Sequence, residues 1–547
     1  MIKNYDTRRP QSFVYQNKEI VEDAVLENDN AFIFGPAIYN STLENDAANI
    51  NVINSIATTT KLLFKGIPEN GVEVVKSGKI VAYDTSSEDV TTRHYIPNTD
   101  LWQKLTEGND WVATAVNAYG LTSSGEKVGA AIKCTINSWD SALVEITLPS
   151  APEEGAVSIC VEQNAYKAFN EDTEITKISS TTDIRDNFGP ITLDNPVAFG
   201  CSLALASAGK AIFADTTGKM PVSGDVASGG NYANVLSKIE LTDKVQFLCP
   251  VFGTFTQLQN SGTGSSNAAT INGLVEKVRS LALAHVEAMS NESKKRWRRC
   301  YFGSQYTTGA YDFSKNTKYT TSEVTDLVVG QAIASNSDRF ILVWTDDAQF
   351  LSEEGLQNLE NDYIACCVAG LRSSKLPQQG LSRQTIKAVS AAPKMYTKWS
   401  ETKLDKIAEQ GVFIITQDYK NTDIYIRHQL ATDTSDGLLY WEDSVGVNVD
   451  EISYMARELV EPYIGKRNAT PQTLTEINNK WYAALLERTN SNNEDPAIGP
   501  QIVEIVDGSV KTYVDPNLKD RIIMTATVVI ALPINTIVVY INATASI

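Results

Sequence analysis

The chain has 547 residues and a mass of 59.8 kDa, with 42% hydrophobic and 21% charged residues. This length predicts roughly three domains of about 100–200 residues each, and the composition excludes a disordered or collagen-like protein. The 47 Lys and Arg against 66 Asp and Glu give a formal net charge of −19. Because so acidic a surface repels phosphate, we expect neither nucleic acid nor an anionic membrane as a main partner.

Cysteine usage and the chain ends indicate a protein made in a cytosol. The 7 cysteines include no C-x-x-C pair, which favours reduced, buried thiols over a disulfide framework. We expect Cys366 and Cys367 to be two packed thiols of one helix, with a strained vicinal disulfide as the alternative. Residues 1–30 are charged throughout, so no signal peptide is expected, and the apolar run 528–532 is too short to span a membrane.

Hydrophobic patterning predicts an α/β core interrupted by an insertion. Residues 1–28 are polar apart from an extended-looking patch at Phe13, Val14 and Tyr15, and are expected to form an arm without a core of its own. Residues 29–89 and 196–425 alternate strands with helices, which predicts an α/β domain with a largely parallel sheet covered on both faces. Residues 90–195 contain short strands between turn residues and predict a β-rich insertion domain.

The end of the chain has a third character. Residues 426–533 combine amphipathic helices with short strands and predict an α+β C-terminal domain. After Pro533, residues 534–547 contain an alternating apolar strand with Ile537, Val539 and Ile541 on one side. We expect this segment to be a second arm.

Individual elements follow from the apolar periods. A helix, Gly209 and a strand are predicted within 195–214. Further strands are expected at 31–40, 111–119, 128–136, 142–148, 156–162, 245–252, 339–344, 411–416, 424–433, 501–508, 521–532 and 535–542. Further helices are expected at 271–290, 356–371, 383–391, 401–410, 449–464 and 474–489.

Catalytic and ligand-binding patterns are weak throughout the chain. The three histidines His94, His285 and His428 are isolated, and none has a metal-ligand partner at the usual spacing. Ser202 and Ser207 each lack one glycine of the G-x-S-x-G turn that exposes a nucleophile, so we expect both on a small-residue helix surface. The pairs 346–347 and 353–354 are acidic and are expected in helix N-terminal turns rather than as acid/base couples. We predict no enzyme activity, cofactor or metal.

One basic cluster interrupts the acidic chain. It consists of Lys294, Lys295, Arg296, Arg298 and Arg299. A nucleic-acid patch, a solvated helix end and a patch that docks on an acidic protein neighbour all fit this pattern, and the net charge favours the last two.

Several segments, taken in order, resemble the sheath proteins of contractile phage tails and related injection machines. The likeness is distributed over about two thirds of the chain, and residues 90–195 lie outside it. In the strand pair where the family often has an arginine followed by Thr-Thr-Asp, Arg427, Thr432 and Asp433 match and Ala431 departs. The segments are AFIFGPA (31–37), NPVAFGCSLALASAGK (195–210), VQFLCPVF (245–252), AHVEAMSNESKKRWRRCYFG (284–303), SDRFILVW (337–344), CVAGLRSSKLPQQGLSRQTI (367–386), GVFIIT (411–416), IRHQLATD (426–433) and YIGKRNATP (463–471).

The resemblance implies a structural protein of a virion. Sheath subunits polymerise as stacked six-fold rings around an inner tail tube in a metastable extended state, then contract and drive the tube through the host envelope. The family's α/β domain has a subtilisin-like topology without the protease's catalytic groups. Its insertion faces outward, and its C-terminal domain faces the tube. Implied partners are other copies of the chain, the tube protein, and baseplate and tail terminator or neck proteins, assembled in the host bacterial cytoplasm.

Three consequences for individual residues remain expectations. Both arms are expected to link neighbouring subunits, with Phe13, Val14 and Tyr15 in one and Ile537, Val539 and Ile541 in the other. The alternative for 535–542 is pairing within its own domain. Lys294, Arg296, Arg298, Lys466 and Arg467 are candidates for docking on the tube or on a neighbour. A surface-layer type of assembling protein and a subtilisin-like hydrolase are the alternative functions.

Overall fold

The structure is a computed structural model that describes residues 30–42, separate strands between 48 and 168, and most of 174–535. Both predicted arm patches, at 13–15 and 537–541, and His94 lie outside the described residues. Gaps within 174–535 fall at 190, 194, 219–227, 244, 254–265, 292, 313–314, 316, 353–354, 421, 436–437, 490–497 and 518.

The described strands are numbered in chain order. They are β1 (Ala31–Gly35), β2 (Ile38–Thr42), β3 (Ala48–Asn51), β4 (Thr60–Lys65), β5 (Lys79–Ile80), β6 (Tyr83–Asp84), β7 (Trp111–Leu121), β8 (Lys127–Trp139), β9 (Leu143–Leu148), β10 (Ser158–Ala168), β11 (Thr176–Ile178), β12 (Ile212–Thr216), β13 (Phe247–Pro250), β14 (Arg299–Gly303), β15 (Tyr311–Asp312), β16 (Thr317–Lys318), β17 (Phe340–Trp344), β18 (Gln349–Ser352), β19 (Gly355–Asn358), β20 (Val412–Thr416), β21 (Tyr425–His428), β22 (Ile502–Ile505), β23 (Lys511–Val514), β24 (Ile522–Thr525) and β25 (Val528–Ile530).

The described helices are numbered in the same way, and short 3₁₀ turns follow two of them at Ile239–Leu241 and Glu461–Tyr463. The helices are α1 (Thr181–Phe188), α2 (Pro196–Ala208), α3 (Gly230–Lys238), α4 (Ser266–Met289), α5 (Thr321–Ser335), α6 (Asn361–Ser373), α7 (Pro393–Lys398), α8 (Glu401–Ala408), α9 (Leu438–Trp441), α10 (Asp443–Val460) and α11 (Pro471–Glu487).

A mainly parallel sheet forms the centre of one compact unit. Within the described residues it has eight strands in the order β11-β12-β1-β13-β14-β17-β20-β21. The inner strands run parallel to one another, and only the edge strands β11 and β21 are antiparallel. Strands β1, β12, β14, β17 and β20 are buried along their whole length, as uninterrupted apolar runs covered on both faces should be. The predicted mixed α/β fold is confirmed, and its subtilisin-like topology stays a prediction.

Helices cover both faces of this sheet. Alternate side chains of β1 and its neighbours join one apolar core together with residues of α3, α4, α5 and α8. On the other face α2 and α6 pack closely, and α6 is buried almost throughout. A Cβ added to Gly370 of α6 would lie 2.2 Å from the carbonyl oxygen of Ala204 in α2. The glycine therefore allows the two helix backbones to touch.

A second sheet forms the other compact unit. Within the described residues it has nine strands, in the order β5-β3-β10-β7-β8-β9-β4-β6 with β2 also paired to β10. Neighbouring strands β7, β8, β9 and β10 pair antiparallel, which agrees with the β-rich character predicted there.

The boundary predicted at residue 90 differs from the structure. Strands β2 to β6, which lie within 38–84 and were expected in the α/β core, pair with β9 and β10 or with each other. The described residues divide into a unit within 1–36, 174–184 and 199–547 and a unit within 37–173 and 185–198. Long-range strand pairing sets this boundary, and a local change of composition does not reveal it.

Helices and short strand pairs form the C-terminal part of the first unit. α10, α11 and the antiparallel pairs β22–β25 and β23–β24 surround a small core of Trp481, Leu485 and Ile502. The strand predicted over 521–532 is broken into two, β24 and β25, which pair with different partners.

The helix predicted at 383–391 is absent from the structure, which describes all of these residues. The backbone N–H of Arg383 donates to Ile426 O at 2.7 Å, and that of Ile426 donates to Gln384 O at 3.0 Å. The segment therefore lies along the outer edge of β21. Pairing to this edge satisfies the backbone groups that a helix would have satisfied internally. The helix predicted at 356–371 likewise begins later, at Asn361, because 355–358 forms β19.

Candidate functional site

The serine, histidine and acidic residues considered as catalytic candidates form hydrogen bonds with neighbouring residues of the fold. The hydroxyl of Ser202 in α2 donates to Phe199 O at 2.8 Å within its own helix. The Nε2 atom of His428 lies 2.5 Å from Glu442 Oε1. Asp346 follows β17 rather than beginning a helix, which corrects the expectation for 346–347. Its carboxylate accepts bonds from Thr308 Oγ1 at 2.8 Å and Trp399 Nε1 at 2.7 Å. Glu353 and Glu354 lie outside the described residues.

His285 and Arg298 form a buried pair. The Nε2 atom of His285 lies 2.6 Å from Arg298 Nη1. Burial and the guanidinium of Arg298 lower the pKa of His285 to about 3, so the ring is neutral and its Nε2 accepts the bond. Arg298 also donates through Nη2 to Ile239 O at 2.8 Å, at the start of the 3₁₀ turn Ile239–Leu241. Both side chains are therefore part of the packed interior of the chain.

Another buried carboxylate lies at the carboxyl edge of the parallel sheet. Asp362, in the first turn of α6, accepts backbone N–H bonds from Phe252 at 2.7 Å, Gly253 at 3.2 Å and Tyr363 at 2.9 Å. Burial raises its pKa to about 6, against the lowering effect of these bonds. The carboxylate holds the loop after β13 against the start of α6.

The thiols are packed side chains. Five described cysteines, Cys201, Cys249, Cys300, Cys366 and Cys367, are free and buried, as predicted for the adjacent pair. Cys366 Sγ faces Cys249 Sγ at 3.5 Å across the sheet–helix interface. Burial also raises the pKa of the Cys201 and Cys300 thiols. The reactive thiolate form of these two residues is therefore scarce.

The basic cluster contacts acidic groups of its own subunit. Arg298 is 1% exposed, so the expectation that it docks on a partner is wrong: its charge is inside the subunit. Arg296 Nε lies 2.8 Å from Asp243 Oδ1, and Lys294 Nζ lies 3.5 Å from Glu240 Oε2. The segment also packs on α10 through Trp297 and Tyr454, whose ring centroids are 5.0 Å apart.

Arg299 lies at the centre of a buried ionic cluster between the amino edge of the sheet and α10. Its Nε donates to Asp450 Oδ2 at 3.2 Å and its Nη1 to Asp338 O at 2.6 Å. Arg339 also binds Asp450, with both of its Nη atoms 2.9 Å from the two carboxylate oxygens. Burial alone would lower the pKa of Arg299, but Asp450 and Asp443 raise it above its ordinary value. The cluster therefore ties α10 to the strands β14 and β17.

A glycine of α10 makes room for this cluster. A Cβ added to Gly446 would lie 1.7 Å from Arg299 Nη2. Sequence reasoning missed this arrangement, although Asp443 and Asp450 lie seven residues apart and thus on one face of the helix. That spacing is the feature of the sequence that could have indicated an acidic helix face. No pattern near Arg299 or Arg339 identifies these two residues as its partners.

The other predicted basic pair lies on the surface. Lys466 and Arg467 are exposed in the turn between α10 and α11. Arg467 Nη2 is 3.6 Å from Glu476 Oε2, and the two side chains are 56% and 36% exposed. The structure does not bring this pair together with the cluster at 294–299, and a docking role for it stays a prediction.

Exposed apolar side chains are concentrated near the C-terminal end. Most of the large apolar residues that are exposed in the described part of the chain lie between 440 and 534. They are Tyr440, Trp441, Val449, Ile464, Tyr482, Leu486, Val503, Val506, Tyr513, Val529, Leu532 and Ile534. Exposed apolar side chains that adjoin one another on a surface mark interaction sites. Sequence reasoning did not identify this surface, because the same residues fit a core equally well.

The strand pairs in this stretch of the chain have open edges. β22 pairs with β25 and β23 with β24, and each pair is a two-stranded sheet within the described residues. A two-stranded pair leaves one row of backbone N–H and C=O groups on each outer side without a ladder partner. These edges can accept a further strand by main-chain hydrogen bonding.

The described residues contain no group of three or more His, Cys, Asp or Glu side chains placed to hold a metal ion. Among the described helices none is long and apolar enough to cross a membrane.

No family model matches the sequence, and no curated protein matches it. The fold is similar to a sheath tail protein from Listeria innocua, with 12% identity and a TM-score of 0.40 over 94% of this chain and 96% of that one. A sheath tail protein from Desulfitobacterium hafniense has 9% identity and a TM-score of 0.36 over 97% and 100%. A chain of the anti-feeding prophage baseplate in its contracted state has 9% identity and a TM-score of 0.47 over 68% and 89%.

Proposed function

We propose that this protein is the sheath subunit of a contractile phage tail or a related injection machine. In this function it is a virion component that polymerises as stacked six-fold rings around an inner tube and contracts to drive the tube through the host envelope. The observation that carries the proposal is the set of large apolar side chains exposed between 440 and 534, a stretch that also contains two strand pairs with open edges. The order of the sheath-like segments along the sequence supports it.

The surface fits repeated assembly better than a single closed contact. An open strand edge accepts an extended segment of another subunit, and the segments at 1–28 and 534–547 have the sequence of such arms. A subunit that gives a strand on one side and accepts one on another makes a heterologous contact. Contacts of this type do not close in a dimer but form rings or helices.

The energies favour a lattice of individually weak links. An added strand of about six residues forms about six main-chain hydrogen bonds, each contributing about 0.5–1.5 kcal/mol net. Burial of Ile537, Val539 and Ile541 adds about 1.5–3 kcal/mol per side chain. Ordering the arm costs about 1–2 kcal/mol per residue, which offsets much of this gain. Stability of the polymer then comes from many links acting together.

The proposed partners are the inner tube and the proteins that end the sheath, namely baseplate and tail terminator or neck proteins. Lys466 and Arg467 are the exposed basic residues that we propose for contact with the tube or a neighbour. The function needs no catalytic group, cofactor or metal, and assembly would take place in the host bacterial cytoplasm.

Electron microscopy and sedimentation of the purified full-length chain test the proposal. We expect striated tubes by negative stain and rapid sedimentation. A variant whose residues 536–547 are replaced by a Gly/Ser sequence of equal length should stay folded, with little change in melting temperature, but remain mostly monomeric. A matched control with Ile537, Val539 and Ile541 intact and Thr536 changed to Ser should assemble normally. Tubes from the Gly/Ser variant, or its unfolding, would show that 535–542 belongs to its own domain.

A further inference from the structure

Residues 531–535, which include the first two residues of the predicted arm, contact the rest of the chain at three points. The backbone N–H of Ala531 donates to Gln501 O at 3.3 Å. A Cβ added to Gly380 would lie 3.1 Å from the Cβ of Pro533, so the proline ring is packed on the backbone there. Asn535 Nδ2 donates to Glu442 Oε1 at 2.7 Å. We call residues 531–535 the root segment.

Glu442 is a buried acceptor at a fixed position. It is 3% exposed. The residues on either side of it are held by backbone hydrogen bonds: Trp441 O accepts from Ala431 N at 2.8 Å, and Asp443 N donates to Gln429 O at 3.0 Å. Its Oε1 atom also contacts His428 Nε2 at 2.5 Å. Its Oε2 atom has no hydrogen-bond partner among the described residues. A buried carboxylate with few partners depends strongly on each bond that it accepts.

The exposure of the root segment shows that apolar burial alone does not hold it. Ile534 is 81% exposed and Leu532 is 49% exposed. The polar bond to Glu442 and the contact of Pro533 therefore define where this segment lies. Both contacts are to residues of the same subunit that lie far away in sequence.

We propose that Glu442 is the positioning residue that anchors the root segment and so fixes the point from which the C-terminal arm departs. The consequence for assembly rests on the proposed function. A tethered segment with a fixed origin samples less space, which raises its effective concentration at the one neighbour it can reach. Anchoring also removes, before assembly, part of the conformational entropy that linking would cost.

Hydrogen exchange of the full-length, unassembled chain tests the anchor directly. Asn535→Ala removes the donor, and Asn535→Asp places a second carboxylate against Glu442. We expect exchange at the amide of Ala531 to rise by about tenfold in the first variant and by more in the second. Ile534→Ala, which changes a solvent-exposed neighbour, is the control and should exchange like the natural chain. Equal protection in all four proteins would overturn the proposal.

A cross-link tests whether the anchor persists in the polymer. In a variant carrying Gly380→Cys and Pro533→Cys, oxidised glutathione should form an intramolecular disulfide by thiol–disulfide exchange, with two glutathione thiols released. We expect the locked protein to assemble like its reduced form, because the arm departs from an anchored root in both. A locked protein that stays monomeric while the reduced one polymerises would refute anchoring during assembly. If no form of the chain makes tubes, the proposed function fails, while the exchange result still decides the anchor.

Discussion

Gly446 is the residue whose size most directly limits the buried ionic cluster. Its missing side chain leaves the space that Arg299 Nη2 occupies against α10. Gly446→Ala should therefore push the guanidinium away from Asp450 and lower the free energy of unfolding by about 3 kcal/mol. Urea denaturation measures the change.

A second glycine provides the matched control for that substitution. Gly330 is exposed in the interior of α5, and a Cβ added there would meet nothing within 4 Å. Gly330→Ala should raise the free energy of unfolding by about 0.5–1 kcal/mol, since it reduces the freedom of the unfolded chain without a clash. Equal effects of the two substitutions would contradict the role given to Gly446.

His285 should make the fold sensitive to acid. Burial and Arg298 lower its pKa to about 3 in the folded state, whereas the unfolded chain takes up the proton near pH 6.5. The stabilising contribution is thus complete above pH 6.5 and is lost as pH falls toward 3, at about 1.4 kcal/mol per pH unit. Relative to His285→Gln, the natural chain should lose about 3 kcal/mol between pH 7.5 and 4.5. Parallel urea profiles of the two proteins over this range would show that His285 does not titrate as inferred.

At the scale of elements, α10 is fixed to the central sheet by charge as well as by apolar packing. Asp450 on this helix binds two arginines at the start of neighbouring strands. Arg299 is the first residue of β14, and Arg339 directly precedes β17. Removing one member of a buried ionic cluster leaves the others uncompensated, which costs far more than loss of an exposed pair.

Two substitutions of an acid by its uncharged amide distinguish the buried ionic cluster from an exposed ion pair. Asp450→Asn should lower the free energy of unfolding by about 3–5 kcal/mol. Glu461→Gln removes an acid that is 55% exposed and 2.8 Å from Arg457 Nε, and should change it by less than about 1 kcal/mol. Urea midpoints measure both. A small effect of Asp450→Asn would mean that apolar packing alone holds the helix.

At the scale of the whole molecule, the limits of the two compact units decide which truncations are tolerated. We expect a chain with 38–173 replaced by a Gly/Ser linker to fold, because β2 to β10 are removed together. Replacement of 90–195, as the composition suggested, removes β11 from the edge of the central sheet and takes from β2, β3 and β4 their partners β9 and β10. That variant should be insoluble. Solubility and melting temperature of the two variants test the boundary.

Much of the α/β core was predictable because its signals are local. Apolar runs such as 339–344 and 411–416 read as buried strands in any context, and the period of 271–290 is that of a helix with one buried face. The same local reading failed at 383–391, where pairing with β21 replaced the predicted helix. It also failed at the basic cluster, where Arg298 proved to be buried beside a neutral histidine.

The sequence by itself determined the elements of the central sheet, the reduced state expected of the buried thiols and the resemblance in segment order. These depend on side-chain type and spacing along one stretch of chain. Only the tertiary structure decided which strands share a sheet, that Asp450 joins Arg299 and Arg339, and that Glu442 receives Asn535. Each of these is a contact between residues distant in sequence. The free energy that selects such a contact comes from packing, burial and charge in three dimensions, which no local pattern encodes.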